Sequence, residues 1–595
     1  MKRLKTIYNK MASGISAAVS RFPFTVLCLA ATAALVCYLI GLDKSAPQNV
    51  EKLIFTLGVG AFIGMVAQFS FEGFSRLSNS KLLVYGVAAL LTAGYFVILW
   101  PAPEISAEII IRSLVAVFAM ICAVLWIPAF RGRTDFNVVS LIHFKSFITS
   151  FLFSSVLSGG TAAILFAVDT LLIRVDDNAY GYSMTVIWII FAPIYYLSRL
   201  PIFQADCKDK EACIDSAAGY PRVLEILVSY IAIPLFTAYT IVLLVYFIKI
   251  LATTQWPSGQ LGPMVLVYSA AGVVLFVLAS LPENRFAHLF RIIFPKVWIP
   301  IVIMQMVSVW IRINAYGITE SRYYVALFAV FSLISAIFLS LRSVSKNRYI
   351  ALLAAAFAIF SIIPPIDAFS VSRNSQINRI EGILQAEGML SEGVLISKPK
   401  ASDETKREVT NIIQYLENNS STEYISWLPK DFEMYRDMKK NFGFDPSYYY
   451  QPNDDYRFFY AALDTGIPLD ISGYDVSMIV SSHMNVNDKK DFAFEIDDKN
   501  YTLTANRISR SDMELTVQDQ SGIRLIELSL LDYAESMKNK SLGGKDMLPP
   551  NEMTHVKTEN GAEIKIIFQN ITMENIGEND FYADYAAYVL VKVAD

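Results

Sequence analysis

The residues best suited to chemistry lie in a short polar stretch between two apolar runs, from Arg312 to Tyr323. Its functional side chains are Arg312, Tyr316, Glu320 and Arg322. Two guanidinium groups this close in sequence can hold a phosphate or a carboxylate, because arginine presents a fork of N–H donors that fits either anion. The stretch is therefore a candidate ligand-binding site.

Further residues complete the predicted site. We place Asp169 and Trp256, with the adjacent carboxylates Asp176 and Asp177, in one outward-facing pocket with these arginines. Two neighbouring carboxylates can bind a divalent cation, but side-by-side acids in a loop are more often simply solvated. The four histidines are far apart, and the two cysteines that share a polar loop have no histidine nearby, so we predict no metal site and no cofactor.

The same stretch also has a purely structural interpretation. Tyr316 and Gly317 can reverse the chain between two helices, and Thr319 can cap the second helix. Glu320 would then lie favourably at the positive N-terminal end of that helix. This interpretation needs no ligand, and the sequence leaves both open.

The apolar runs around these residues predict a helical membrane bundle. Hydrophobic residues make up 54% of the chain and charged residues only 17%, which is too apolar for a soluble protein of this size. Up to about residue 370 the runs are long enough to cross about 30 Å of hydrocarbon as helices. We predict about eleven transmembrane helices, at residues 22–42, 53–71, 82–100, 109–129, 147–173, 181–198, 223–248, 262–281, 297–313, 324–341 and 349–369.

The distribution of lysine and arginine predicts the orientation of the bundle. The segments on the side of the N-terminus carry 20 of these residues, against 7 on the other side. Because positive charge accumulates in cytoplasmic loops, the N-terminus is predicted to be cytoplasmic. We therefore divide the chain into a basic cytoplasmic segment (1–21), a transmembrane helical bundle (22–370) and an extracytoplasmic soluble domain (371–595), since an odd number of spans places the C-terminus outside.

Ionisable residues at membrane depth are costly, so each needs a partner, water or a function. Besides Asp169 and Arg312, these are Arg112, Glu225 and Asp367. We expect Glu225 to pair with Arg222, three residues before it on the same helix. The other four lie toward the outer ends of their predicted spans, which places the polar groups of the bundle mainly on that side.

The tail has the pattern of an α+β or β-rich domain. Residues 376–418 are predicted to be helical, and from about residue 455 several segments alternate apolar and polar residues as strands with one wet face do. Residues 538–550, which contain two glycines and two prolines, predict a loop. The tail has no cysteine, so no disulfide can stabilise it.

Several motifs resemble a bacterial membrane family called domain of unknown function 4153. They are Phe191-Ala-Pro-Ile-Tyr-Tyr-Leu-Ser-Arg-Leu-Pro201, Tyr220-Pro-Arg, Trp256-Pro, Glu283-Asn-Arg285 and, most specifically, Arg312-Ile-Asn-Ala-Tyr-Gly-Ile-Thr-Glu-Ser-Arg-Tyr323. The resemblance covers residues 20–375 or so. It implies a multi-pass protein of the bacterial inner or plasma membrane, and it carries over no activity, substrate or cofactor.

Two classes of function remain. The first is a non-enzymatic membrane protein, either a transporter or a receptor or scaffold, whose outer domain binds a protein partner or a small-molecule ligand. The second is a membrane-embedded transferase acting on a lipid-linked or phosphorylated substrate at the outer face. The absence of a catalytic motif and the short first outer loop, about residues 43–52, favour the first. The lipid bilayer is an expected partner and nucleic acid is not, since the net charge is −4 and no long basic tract is present.

Overall fold

The computed structural model describes residues 2–42, 47–74, 77, 80–132, 134–203, 214–253, 261–447, 458–482, 486, 488–540, 547–577 and 580–593. The chain divides into two compact units. The first comprises Met1–Pro399 and Ile412–Gly443, and the second comprises Lys400–Asn411 and Phe444–Asp595. The assignment of residues 371–595 to a separate extracytoplasmic domain stays a prediction.

Ten helices in the described part of the chain are long and apolar enough to cross a membrane. They follow an N-terminal helix, α1 (Lys2–Arg21). They are α2 (Pro23–Ile40), α3 (Gln48–Gly73), α4 (Lys81–Leu99), α5 (Ala107–Trp126, continued by a 3-10 turn, Ile127–Gly132), α6 (Phe136–Leu171), α7 (Asn178–Ser198), α8 (Arg222–Thr253), α9 (Leu261–Leu278), α10 (Arg285–Tyr316) and α11 (Glu320–Leu341). This is the pattern of a multi-pass membrane protein, as predicted.

The predicted eleventh span, residues 349–369, is only partly helical. Helix α12 (Arg348–Phe360) has 13 residues and so rises about 20 Å. The chain then turns until the next helix begins at Ala368. Pro364 and Pro365 explain why no helix continues here, since proline lacks the N–H donor and disfavours helical backbone in the residue before it. Ten long apolar helices are confirmed, and the eleventh is not.

Two further boundaries differ from the prediction. Helix α6 begins at Phe136 rather than near residue 147, because Asp135 accepts a hydrogen bond from the backbone N–H of Asn137 at 2.6 Å and caps the helix. Helix α10 begins at Arg285, capped in the same way by Asn284, rather than near residue 297. Each helix includes a polar first part that a hydropathy pattern does not assign to a span.

Contacts between side chains and helix ends define one end of the bundle, which we call the Arg21 end. The guanidinium of Arg21 donates to the carboxylate of Glu72 at 2.7 and 2.8 Å and to the carbonyl of Leu200 at 2.6 Å. The amide of Asn347 donates to the side-chain oxygen of Asn137 at 2.8 Å. The start of α2 thus meets the ends of α3 and α7, and the start of α6 meets the start of α12.

The opposite helix termini meet at what we call the Arg112 end. Lys52, near the start of α3, donates to the carbonyls of Trp100 and Ala102 after α4, at 3.1 and 2.5 Å. Arg112, near the start of α5, donates to Asp367 just before Ala368 at 2.8 Å. Successive helices therefore run in alternating directions between the two ends.

The segment from Arg348 to Asp367 runs between these same ends. Arg348 donates to the carbonyl of Ala129, after the end of α5, at 3.2 Å. Asp367, at the other limit of the segment, meets Arg112 near the start of α5. Residues 348–367 therefore run antiparallel to α5 along its length, although only 13 of them are helical.

After the bundle, the first unit continues with shorter elements. They are α13 (Ala368–Ala386), a two-stranded hairpin of β1 (Leu390–Ser391) and β2 (Val394–Leu395), α14 (Asp403–Asn418), whose residues from Ile412 belong to this unit, and α15 (Met434–Phe442). The helices predicted within 376–418 are thus α13 and α14. Neither the hairpin that lies between these two helices nor the later helix α15 was predicted.

The second unit is built of two antiparallel-rich sheets. The strands are β3 (Phe458–Leu463), β4 (Val476–Ser481), β5 (Lys489–Ile496), β6 (Lys499–Arg507), β7 (Met513–Asp519), β8 (Arg524–Ser529), β9 (Met547–Leu548), β10 (Thr554–Glu559), β11 (Ala562–Gly577) and β12 (Asp580–Val593). One sheet has the strand order β4-β12-β11-β3-β9, with β10 also paired to β11, and the other has the order β5-β6-β7-β8. The prediction of a β-rich region is confirmed.

The core of the second unit shows why these segments form sheets. Alternate side chains of β6 and β7, such as Leu503, Leu515 and Val517, are fully buried together with Ile564 of β11. The predicted loop at 538–550 is partly wrong, because α16 (Leu530–Lys540) and β9 occupy both of its ends. The glycines of that loop lie outside the described residues.

Candidate functional site

A tight turn at the Arg112 end, Tyr316 to Tyr323, contains three of the predicted site residues, Tyr316, Glu320 and Arg322. Gly317 ends α10 with a φ of 70°, a left-handed conformation that favours glycine. A Cβ atom at this position would lie 2.8 Å from the side-chain nitrogen of Gln376. Backbone conformation and close approach therefore both require glycine here.

Helix α13 clamps this turn from the side. The amide of Gln376 donates to the carbonyls of Tyr316 and Ile318 at 3.0 and 2.9 Å. The hydroxyl of Ser375 accepts from the backbone N–H of Ile318 at 2.9 Å. Three backbone groups of the turn thus have side-chain partners on α13, which fixes the geometry of the turn.

The capping predicted for the next helix is only partly correct. Thr319 occupies the N-cap position of α11, but its side chain makes no capping hydrogen bond and instead lies 3.2 Å from the hydroxyl of Ser321. Glu320 does lie in the first turn of the helix, where the dipole stabilises a negative charge. The carboxylate has a second partner, since the hydroxyl of Tyr415 donates to it at 2.5 Å. Burial, and then the hydrogen bond to this carboxylate, raises the pKa of Tyr415.

The turn brings Arg312, Tyr316 and Arg322 together. Arg322 donates to the carbonyls of Tyr316 and Gly317 at 3.1 and 2.8 Å, and its guanidinium carbon lies 5.5 Å from the centre of the Tyr316 ring. Arg379 of α13 lies 6.0 Å from the same ring. The positive charges of Arg312 and Arg379 both repel the positive charge of Arg322. Three arginines therefore lie near the turn, and the sequence did not indicate Arg379.

A buried ion pair fastens the start of α13 to the bundle. The Asp367 side chain is completely buried, and one of its oxygens accepts from Arg112 at 2.8 Å. The same oxygen accepts from the backbone N–H groups of Phe369 and Ser370 at 3.0 and 3.1 Å, which caps α13. The hydroxyl of Tyr323 donates to the carbonyl of Ile366 at 2.6 Å. Asp367 is thus at once a helix cap and an ion-pair partner.

The remaining predicted site residues are not joined to this cluster by any described contact. Asp169 is exposed and accepts from the backbone N–H of Val175 at 2.8 Å, within its own loop. Asp176 accepts from the N–H of Asn178 at 2.9 Å. Trp256 lies outside the described residues. The pocket predicted to combine these residues with the arginines stays a prediction.

Sequence reasoning did not include the residues of α13 and α14 that complete the site. Ser375, Gln376, Arg379 and Tyr415 lie about 55 to 100 residues after the turn in the chain. Gln376 and Arg379 are three residues apart and so share a helix face, but nothing local indicates which partner that face meets. Arg112 and Asp367 were recognised as costly charges, but not as each other's partner.

The second unit contains a separate groove of about 460 Å³ between β7, β8, α16 and β10. Glu514 and Glu527 lie there on adjacent strands, with Asp532, Tyr533 and His555 nearby. The hydrogen bond between the two carboxyl groups raises the pKa of Glu514 and lowers the pKa of Glu527, because one of them keeps the shared proton. Burial lowers the pKa of His555. Among the described residues of the whole chain, no three His, Cys, Asp or Glu side chains are grouped to hold a metal ion.

A comparison with known protein families identifies the family of this chain. The family model described as domain of unknown function (DUF4153) matches residues 24–391, which contain the bundle, the turn and α13. The chain belongs to this family. The matched segment of this chain therefore includes both sides of the Gln376 clamp and of the Arg112–Asp367 pair.

A curated relative extends the comparison without adding an activity. An uncharacterized protein of Pasteurella multocida (strain Pm70) is 23% identical over 326 residues, which cover 51% of this chain and 54% of the relative. The chain thus matches about half the length of that protein. No solved structure matches the chain.

Proposed function

We propose that this DUF4153 protein is a non-enzymatic receptor or scaffold of a bacterial inner or plasma membrane. Its N-terminus lies in the cytoplasm, and its C-terminal β-rich unit lies outside and binds a partner or ligand. The observation that carries the proposal is the fastening of α13, which connects the bundle to the rest of the tail. The buried Arg112–Asp367 pair and the hydrogen bonds from Gln376 hold α13 against the bundle end.

The contacts at the two bundle ends support this topology. Residues 348–367 connect the Arg21 end to the Arg112 end, so they act as an eleventh crossing in spite of the short helix. Eleven crossings put the two termini on opposite sides of the membrane. The excess of lysine and arginine in the segments at the Arg21 end supports a cytoplasmic position for that end.

The fastening of α13 against the bundle end supports a receptor or scaffold role. Holding α13 in one place costs conformational entropy. The ion pair, the helix cap and the hydrogen bonds from Gln376 offset this cost and stabilise one arrangement of α13 on the bundle. A ligand bound at the turn would then contact the bundle and the connecting helix at once. We propose that Arg312, Tyr316, Glu320 and Arg322 form that ligand-binding site.

Cysteine labelling in cells tests the topology. The five native cysteines are replaced by serine, and one cysteine is introduced either at Ser345, an exposed residue at the Arg21 end, or at Ser472, an exposed residue of the second unit. A membrane-impermeant maleimide should label S472C in intact cells and S345C only after lysis. The cysteine-free chain controls for background. Labelling of S345C in intact cells, with S472C protected, would overturn the proposed orientation.

A further inference from the structure

The turn at the Arg112 end concentrates positive charge that the described residues do not neutralise. Arg312 lies one helical turn before Tyr316 on the same face of α10, and the guanidinium carbon of Arg322 lies 5.5 Å from the centre of the Tyr316 ring. The positive charges of Arg312 and Arg322 repel each other. Neither forms an ion pair with a carboxylate within the described part of the chain. Glu320 is nearby in sequence, but its carboxylate accepts from Tyr415. Two like charges held together at a half-buried position favour binding of an anion.

The geometry of Arg322 is fixed before any ligand arrives. Its Nη1 atom donates to two carbonyls, and its guanidinium group lies against the ring of Tyr316. The N–H groups on Nε and Nη2 are not used in these bonds. Since little side-chain entropy remains to be lost, an anion that accepts from these donors would bind without the usual ordering cost.

Aromatic side chains indicate the depth of this charge in the membrane. Trp310 is 64% exposed and Tyr316 is 50% exposed, both within the last two turns of α10. Exposed tryptophan and tyrosine at the ends of spanning helices lie at the level of the lipid headgroups. The phosphate groups of phospholipids occupy this same level.

We propose that Arg312 and Arg322 bind a phosphate group, either that of an anionic phospholipid headgroup or that of a soluble phosphate-bearing ligand. Phosphate fits the planar fork of guanidinium donors and neutralises both arginines at once. This names the ligand class of the site in the proposed function and so rests on it.

Native mass spectrometry of the full chain tests the proposal. Wild type and Arg312→Gln are purified in detergent and supplied with phosphatidylglycerol. Arg312 donates no hydrogen bond among the described residues, so its replacement should leave the fold intact. Arg342→Gln is the matched control, because Arg342 is an exposed arginine at the opposite end of α11. A second variant, Arg312→Lys, keeps the positive charge and removes the planar set of guanidinium N–H donors.

We expect Arg312→Gln to lower the occupancy of bound phosphatidylglycerol about tenfold, the effect of losing one charge-assisted hydrogen bond. Arg312→Lys should fall between this variant and wild type, and Arg342→Gln should equal wild type. Thermal unfolding with inorganic phosphate separates the two sources. A stabilisation by phosphate that Arg312→Gln abolishes would assign the site to a soluble ligand, and its absence alongside lipid binding would assign it to a headgroup.

Equal lipid occupancy and equal phosphate response in wild type and Arg312→Gln would overturn the phosphate site. This failure is distinguishable from that of the proposed function, because mass spectrometry reports binding whatever the orientation of the chain. Cysteine labelling, conversely, reports orientation whether or not phosphate binds.

Discussion

Removal of the Asp367 carboxylate should detach α13 from the bundle and destabilise the protein. One oxygen of this buried side chain accepts from two backbone N–H groups and from Arg112, at distances of 2.8 to 3.1 Å. Loss of a helix cap costs about 1 kcal/mol. Loss of a hydrogen bond between charged groups costs about 1.5–3 kcal/mol.

The expected size of the effect follows from the surroundings of Arg112. The arginine side chain is 28% exposed and also pairs with Glu108 at 2.7 Å, so the charge left behind after substitution is partly solvated. We therefore expect Asp367→Ala to lower the free energy of unfolding by about 2–4 kcal/mol. Asp367→Asn, which can still cap the helix, should cost less, about 1–2 kcal/mol.

Reversible unfolding of the full chain in mixed micelles, with increasing dodecyl sulfate, measures these changes. Glu108→Gln is the control, since it removes the more exposed partner of Arg112 and should cost less than about 1 kcal/mol. Hydrogen exchange of residues 368–386 should accelerate in Asp367→Ala. The reasoning is refuted if Asp367→Ala costs no more than Glu108→Gln and the exchange of α13 is unchanged.

Three further substitutions test other parts of the account. Gly317→Ala should lower the free energy of unfolding by about 1–3 kcal/mol, because of its positive φ and the approach of Gln376; chemical unfolding measures this, and an unchanged midpoint contradicts it. Tyr415→Phe should reduce the loss of stability at alkaline pH. Because the pKa of Tyr415 is raised in the folded protein, its contribution is present below about pH 10 and is lost as the pH rises toward the folded value; an identical pH profile in thermal unfolding would contradict this. The pKa of Glu514 is raised in the folded protein by its interaction with Glu527, so the free energy of unfolding should fall as the pH rises from acid to neutral. Glu514→Gln should make this fall smaller. The control Glu495→Gln, on an edge strand of the same sheet, should leave the fall unchanged.

The sequence predicted the bundle well because hydropathy and helix length are local properties. Ten predicted spans coincide with long apolar helices. The errors lie where a polar side chain extends a helix, as the Asp135 cap does for α6, or where proline shortens one, as after Phe360. A hydropathy pattern reports the apolar surface available to lipid and does not report capping.

The candidate site was predictable only in part. Gly317, Arg312 and Arg322 are close together in the sequence, so their types and spacing predict a chain reversal with concentrated positive charge. Gln376, which clamps the turn, lies 59 residues after Gly317 in the chain. Such contacts depend on how α13 packs against the bundle, and a single sequence contains no pattern that specifies a partner at that distance. The clamp supports the structural interpretation of the turn, and its role as a ligand site stays a prediction.

Disulfide trapping in growing cells tests the central claim most directly, that α13 is held against the turn on the outer side of the membrane. In the cysteine-free chain, one cysteine pair replaces Gly317 and Ser375, because a Cβ atom at position 317 would lie 3.3 Å from the side-chain oxygen of Ser375 at the Arg112 end. A control pair replaces Gly14 and Ser198 at the Arg21 end, where a Cβ atom at position 14 would lie 3.8 Å from the Cβ atom of Ser198. Disulfides form in the oxidising compartment outside the inner membrane, and cysteines stay reduced in the cytoplasm. We predict that the 317/375 pair is oxidised without added oxidant and that the 14/198 pair is oxidised only after lysis with oxidant. Oxidation of the control pair alone would show the reverse orientation, and a 317/375 pair that stays reduced even with oxidant would show that α13 is not held against the turn.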